Sequence, residues 1–118
     1  MKILGTNAVV RSTDREAAVA RYQALFGAPP LLGFPIPDRK LYGTTFPGIS
    51  VLSGETSALA SLSNLRAIVF VDSLPEIEAE LRRSGWTTEG SLVGDTGVLA
   101  RDPDGNLIEF VENSDGKE

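Results

Sequence analysis

The feature that most constrains this chain is a pattern written twice: a strand-like run, a capped helix, a glycine stop, then three short strand-like segments. Ile3 to Val10 reads as a strand rich in β-branched and small residues, and Arg15 to Phe26 as a helix ending at Gly27. Thr13 followed by Glu16 has the spacing of a capping box, in which the hydroxyl accepts from an orphan amide and the glutamate reaches back. Ala17, Ala20 and Leu25, with Val19 and Tyr22, give this helix an apolar side. In the second half Ala67 to Val71 is the opening strand, Ser73 with Glu76 the capping box, and Pro75 a first-turn proline. The helix Leu74 to Arg83 carries Leu74, Ile77, Ala79 and Leu81 and stops at Ser84-Gly85. Gly27 and Gly85 both suit the left-handed conformation that ends a helix.

The three strands that follow are expected near Leu31–Phe34, Leu41–Phe46 and Ile49–Leu52 in the first half, and at Trp86–Glu89, Val98–Arg101 and Asn106–Glu112 in the second. The polar, alanine-rich stretch Ser53 to Asn64 shows no sustained strand pattern and reads as the connection. The expected organisation is one α+β domain over 1–118: a first βαβββ module at about 1–53, a linker at 54–64 and a second module at about 65–118. A chain of 118 residues is long enough to bury a core without staples.

The side chains that are missing narrow the chemistry. The chain has no cysteine and no histidine, which excludes disulfides, thiolate metal sites, a cysteine nucleophile and a serine triad. With 16 acidic against 11 basic residues the net charge is −5, which argues against nucleic acid as a partner; the sign would suit a cationic small molecule, but solubility alone accounts for a negative charge of this size. No apolar run approaches a membrane span, and Thr6, Asn7 and Arg11 interrupt any signal-peptide core, so a cytoplasmic protein without a membrane partner is expected.

Two βαβββ units closing on Arg101-Asp102-Pro103-Asp104-Gly105-Asn106-Leu107-Ile108-Glu109-Phe110, with Arg21-Tyr22-Gln23-Ala24-Leu25-Phe26-Gly27 at the end of the first helix, resemble the vicinal oxygen chelate superfamily of glyoxalases, bleomycin resistance proteins and dioxygenases. The resemblance covers nearly the whole chain and implies curved mixed sheets around a cleft. In metal-dependent members four side chains meet at the metal; the matching positions here are Asn7, Ser50, Arg66 within one residue, and Glu109. Only Glu109 suits that role, since a guanidinium repels a divalent ion and the imidazole that zinc, nickel or iron favours is absent. No metal and no other cofactor is therefore expected.

Alternation along the last strand sets Leu107, Glu109 and Val111 on one face and Ile108 and Phe110 on the other. A carboxylate among aliphatics needs a donor or a cation, so Glu109 either pairs with Arg66 in the space a metal would fill or lies at an edge facing solvent. Asp102 and Asp104 read as turn residues, because the spacing of a calcium loop is missing and Pro103 and Gly105 suit a tight reversal.

The candidate ligand-binding residues are Asn7, Phe34, Phe46, Ser50, Arg66, Phe70, Trp86, Arg101 and Glu109; Trp86 reads first as a core residue just past the helix stop and only second as a stacking residue. The leading expectation is a metal-independent protein that binds an aromatic or amphipathic, antibiotic-like small molecule without transforming it. By resemblance it is a homodimer. The competing expectations are a divergent lyase, isomerase or dioxygenase that uses Glu109 with or without a weakly held metal, and an interaction module whose pocket is vestigial.

Overall fold

A computed structural model describes residues 2–113 of the chain. The outer limits of the expected modules, at residue 1 and at 114–118, lie outside the described residues. The elements in order are β1 (Ile3–Ser12), α1 (Arg15–Phe26), β2 (Leu32–Ile36), β3 (Leu41–Phe46), β4 (Ile49–Ser53), α2 (Thr56–Ala60), β5 (Leu65–Val71), α3 (Leu74–Arg83), β6 (Thr87–Thr88), β7 (Gly97–Arg101) and β8 (Leu107–Glu112). The architecture is α+β, built from two βαβββ modules. Contacts divide the chain into two compact units, residues 7–63 and residues 2–6 with 64–113, and the division falls within β1. Among the described residues no helix is long and apolar enough to cross a membrane.

In the unit 7–63 the strands lie in the order β2-β3-β4-β1, with β4 parallel to β1 and the other neighbours antiparallel. Residues two apart share a face. The helix-facing side carries Val10, Phe46, Ile49 and Val51, packed against Ala18, Val19 and Tyr22 of α1. Phe46 is fully buried, its ring 5.6 Å from that of Phe26 and 6.0 Å from that of Tyr22. The inward stripe of α1 is thus Ala18, Val19, Tyr22 and Phe26, at helical spacing. Ala17, Ala20 and Leu25 point to solvent, contrary to expectation, and Leu25 is 72% exposed.

The cap of α1 also differs from the expected box. Asp14, not Thr13, adopts the extended N-cap conformation, and its Oδ1 accepts from the Ala17 amide at 3.1 Å. Both residues suit a cap, and only the chain path from β1 selects between them. Asp14→Ala should therefore lower unfolding stability in urea by about 1 kcal/mol. Thr13→Ala should change it by less than about 0.5 kcal/mol. The other end follows the sequence: Gly27 is left-handed at φ 71° and its amide donates to the Gln23 carbonyl.

β2 is the outermost strand of this sheet and carries Pro35, a residue tolerated where no ladder hydrogen bond is required. The segment read as a linker folds back as α2 and buries Leu59 and Leu62, and the Arg11 guanidinium donates to the Leu62 carbonyl.

In the other unit the order is β1-β5-β8-β7-β6, where β1 takes part through its first residues and β5 runs parallel to β8. The helix-facing side gathers Val71, Val98, Ala100 and Phe110 under Ile77 and Leu81 of α3, with Val69 and Ile108 beside them. Ser73 caps α3 as expected, its side chain accepting from the Glu76 amide. The strand expected over Trp86–Glu89 shrinks to Thr87–Thr88. Asp102 organises the β7–β8 turn: its Oδ1 accepts from the amides of Asp104 and Asn106, both at 2.9 Å, and Gly105 is left-handed at φ 91°. The Asn106 amide, more than any other contact, holds the Asp102 carboxyl below the usual carboxylate range.

Candidate functional site

Each unit presents a sheet face turned away from its helix, and the positions marked by the resemblance fall largely there. In the unit 7–63 strand register sets Val9 beside Ser50, Thr45 beside Ser50 and Gly43 beside Phe34 on that face. Asn7 is only 6% exposed and uses both halves of its amide. Its Nδ2 donates to the Phe46 carbonyl and to Ser50 Oγ, both at 3.1 Å, while its Oδ1 accepts from the Gly48 amide at 3.1 Å. Ser50 Oγ lies 3.2 Å from Thr45 Oγ1. The arrangement is a clamp on the β3–β4 turn, where Gly48 is left-handed at φ 84°. Asn7 and Ser50 do come together, but as partners of each other and of the backbone.

Phe34 lies on the same face and is half-buried. Its ring rests on the backbone of Gly43: a Cβ there would sit 2.3 Å from Phe34 Cζ. The absent side chain of Gly43 is the seat of the ring. On the opposite face Tyr42 lies against Gly33 in the same way, with the Arg15 guanidinium 3.7 Å from the centre of its ring.

In the other unit Glu109 is completely buried. Its neighbours across the ladder are Ile68 on β5 and Leu99 on β7, both aliphatic and buried. Donors come from the segment between β6 and β7. Ser91 Oγ donates to Glu109 Oε2 at 2.9 Å and the Leu92 amide to the same oxygen at 3.1 Å. The Val93 amide donates to Ser91 Oγ at 3.0 Å and fixes that hydroxyl in place. Gly97 permits the closure: a Cβ there would lie 2.5 Å from Glu109 Oε2, 2.6 Å from Val93 Cγ2 and 2.8 Å from Ser91 Oγ. Gly97→Ala should force this segment off the sheet and cost about 1–3 kcal/mol of stability, measured by thermal or urea unfolding.

The expected pair of Arg66 and Glu109 does not form, and Glu109 does not face solvent. A bulge falls between Leu65 and Ala67, so Arg66 leaves the alternation that would have aimed it along the face of Ile68. Its side chain is exposed and its Nε donates to Asn106 Oδ1 at 3.2 Å. Phe46 and Trp86 are likewise removed from the site. Both lie on helix-facing sides, and Trp86 packs edge-on to Phe110 with ring centres 6.0 Å apart. Arg101 is paired with Glu89 and donates to the Gly105 carbonyl at 3.0 Å, so it braces a turn; the Glu89 contact raises its pKa. Phe70 is half-buried, two residues along β5 from Ile68.

These donors do not fit a divalent metal. Asn7 and Ser50 are held by their own clamp, Arg66 is a cation on the outside, and Glu109 already accepts two protein donors. Among the described residues no three carboxylate, imidazole or thiol side chains gather where they could hold an ion. Ser91, Leu92 and Gly97 were invisible as site residues in the sequence. Their one signal is a serine set among closely spaced glycines, which reads as a turn.

No family model and no curated protein matches the chain. Solved structures do. An uncharacterised protein from Methanosarcina mazei is 28% identical over 95% of this chain and 94% of its own, with a TM-score of 0.82. A hypothetical protein from Bacillus halodurans is 14% identical over 100% and 99%, with a TM-score of 0.71. Methylmalonyl-CoA epimerase from Mycobacterium tuberculosis is 18% identical over 93% and 88%, with a TM-score of 0.66, a likeness of fold alone.

Proposed function

We propose that this chain, which has the fold of the vicinal oxygen chelate superfamily, is a metal-independent binding protein for an aromatic or amphipathic small molecule. The observation that carries this reading is the state of Glu109. The one residue of suitable chemistry at the superfamily's ligand positions is sealed under Ser91 and Leu92, and the other positions are bonded within the fold or turned outward. What remains for recognition is aromatic and aliphatic surface, above all Phe34 on its glycine seat. Apolar surface with a few polar groups suits binding by burial and stacking, which needs no catalytic residue. A homodimer with two equivalent sites is part of the proposal.

Native mass spectrometry of untagged, freshly purified protein tests it. The expected spectrum is a dimer without stoichiometric metal, carrying an organic adduct. Adding the released compound back in hundredfold excess over its Kd should stabilise the fold by about 2.7 kcal/mol. A divalent metal at one per chain that chelation removes would overturn the proposal.

A second reading rests on the same carboxyl. A buried glutamate flanked by Ile68 and Leu99 has the surroundings in which carboxyl groups serve as bases, and methylmalonyl-CoA epimerase has this fold. Glu109→Gln separates the two readings. Turnover of an epimerisable or isomerisable substrate that falls by orders of magnitude in this variant supports an enzyme, and unaltered ligand capture without turnover supports a binder.

A further inference from the structure

β2 ends in a single tight turn, Pro37–Arg39, before the chain reverses into β3. Lys40 closes that turn in the left-handed conformation at φ 58°, its amide donating to the Pro37 carbonyl at 3.1 Å. Elsewhere among the described residues every position with such a φ is a glycine, which meets no steric cost there. The segment after β4 lies against the same turn because Gly54 has no side chain. A Cβ on Gly54 would sit 2.6 Å from Leu41 Cδ2 and 2.9 Å from the Lys40 carbonyl oxygen. Between the turn and α2 runs a groove of about 810 Å³, in the size range of sites for drug-sized ligands. Asp38, Arg39 and Lys40 line it from the turn, and Glu55 and Ser57 from α2 and its cap. Glu55 takes the cap position without using its carboxylate on a backbone amide. Among the described residues none of Asp38, Arg39, Lys40 and Glu55 stands in an ion pair.

We propose that this groove is a second binding site, with none of the residues of the apolar face described above, and that it takes a zwitterion of the amino-acid or short-peptide class. The ligand carboxylate lies on Arg39 and Lys40, and its ammonium on Asp38 and Glu55. Three observations agree on the class. The lining carries two positive and two negative groups, so a singly charged ligand meets repulsion along with attraction, whereas a zwitterion meets a partner at each end. The planar guanidinium of Arg39 is half-buried and matches a carboxylate with paired N–H donors. Lysine at position 40 keeps a backbone conformation that glycine would relax, and strain of this kind persists where the residue is in use. The inference does not depend on the reading of the apolar face.

The test is an amide NMR titration at about pH 6.5, where an α-amino group is charged. The probes are triglycine, N-acetyltriglycine, which keeps only the carboxylate, and triglycinamide, which keeps only the ammonium. Triglycine should shift the amides of Lys40, Gly54 and Ser57 saturably, and each singly charged analogue should bind about fivefold more weakly, the factor for one lost exposed ion pair. Arg39→Gln should weaken triglycine about tenfold, since it removes a charged hydrogen-bonding fork. Lys40→Gly should raise the urea midpoint and yet weaken triglycine about threefold, a pair of opposite effects that a purely structural lysine would not give. The inference falls if residues 38–58 stay silent, if either analogue binds as well as triglycine, or if Lys40→Gly leaves the affinity unchanged. A co-purified apolar ligand alongside silent residues 38–58 would overturn this site and leave the binding reading standing.

Discussion

Phe46→Ala should destabilise the protein by about 3–5 kcal/mol, the expected cost of deleting a fully buried aromatic ring. The ring touches both Tyr22 and Phe26, so its loss opens a cavity at the junction of α1 with its sheet and leaves two further aromatics without a packing partner. The far-ultraviolet signal should persist at low temperature while the urea midpoint falls steeply. The result separates two roles that are easily confused. A pocket residue of this type lowers ligand affinity and spares stability, whereas Phe46 faces α1 and should do the reverse.

Asn7→Ala should cost about 3 kcal/mol, a large effect for a polar residue. Its amide satisfies the Phe46 carbonyl, the Gly48 amide and the Ser50 hydroxyl, all in or beside buried structure. Alanine leaves those groups without these partners, at roughly 1–3 kcal/mol for each that water does not reach. Asn7→Asp keeps the acceptor for Gly48 but loses both donors, and it should fall between the wild type and alanine in chemical denaturation. A metal-ligand role would give another signature: aspartate would bind a divalent ion better than asparagine and would gain stability when magnesium is added.

Sequence patterns located the repeated module and most of its ends, because caps, glycine stops and apolar periodicity are local. Ser73, Gly27 and the range Leu74–Arg83 are read directly. The failures share a cause, which is dependence on chain path. Thr13 and Asp14 are both competent caps, and the exit from β1 decides between them. Phe46 precedes a proline and a left-handed glycine, so its face is fixed only once α1 is known to cover β3. A bulge of one residue at Arg66 is silent in composition, yet it moves a guanidinium from the site to the surface. The candidate site was therefore half legible. Asn7, Ser50 and Glu109 were legible as positions of the resemblance, and what they bond to was not, because Gly48, Ser91 and Leu92 are distant in the chain or speak through backbone amides.

Crowding tests the margins of a sheet. An outer strand with leucines in the open is a template on which chains recruit one another into fibres. Leu31 and Leu32 are 68% and 59% exposed at the start of such a margin. Pro35 removes an amide from the middle of β2, so an incoming strand cannot zip along its length. At the other outer margin β6 is only two residues long and offers almost nothing to extend. The same proline that marks β2 as outermost thus interrupts the pairing that an incoming strand would need along it.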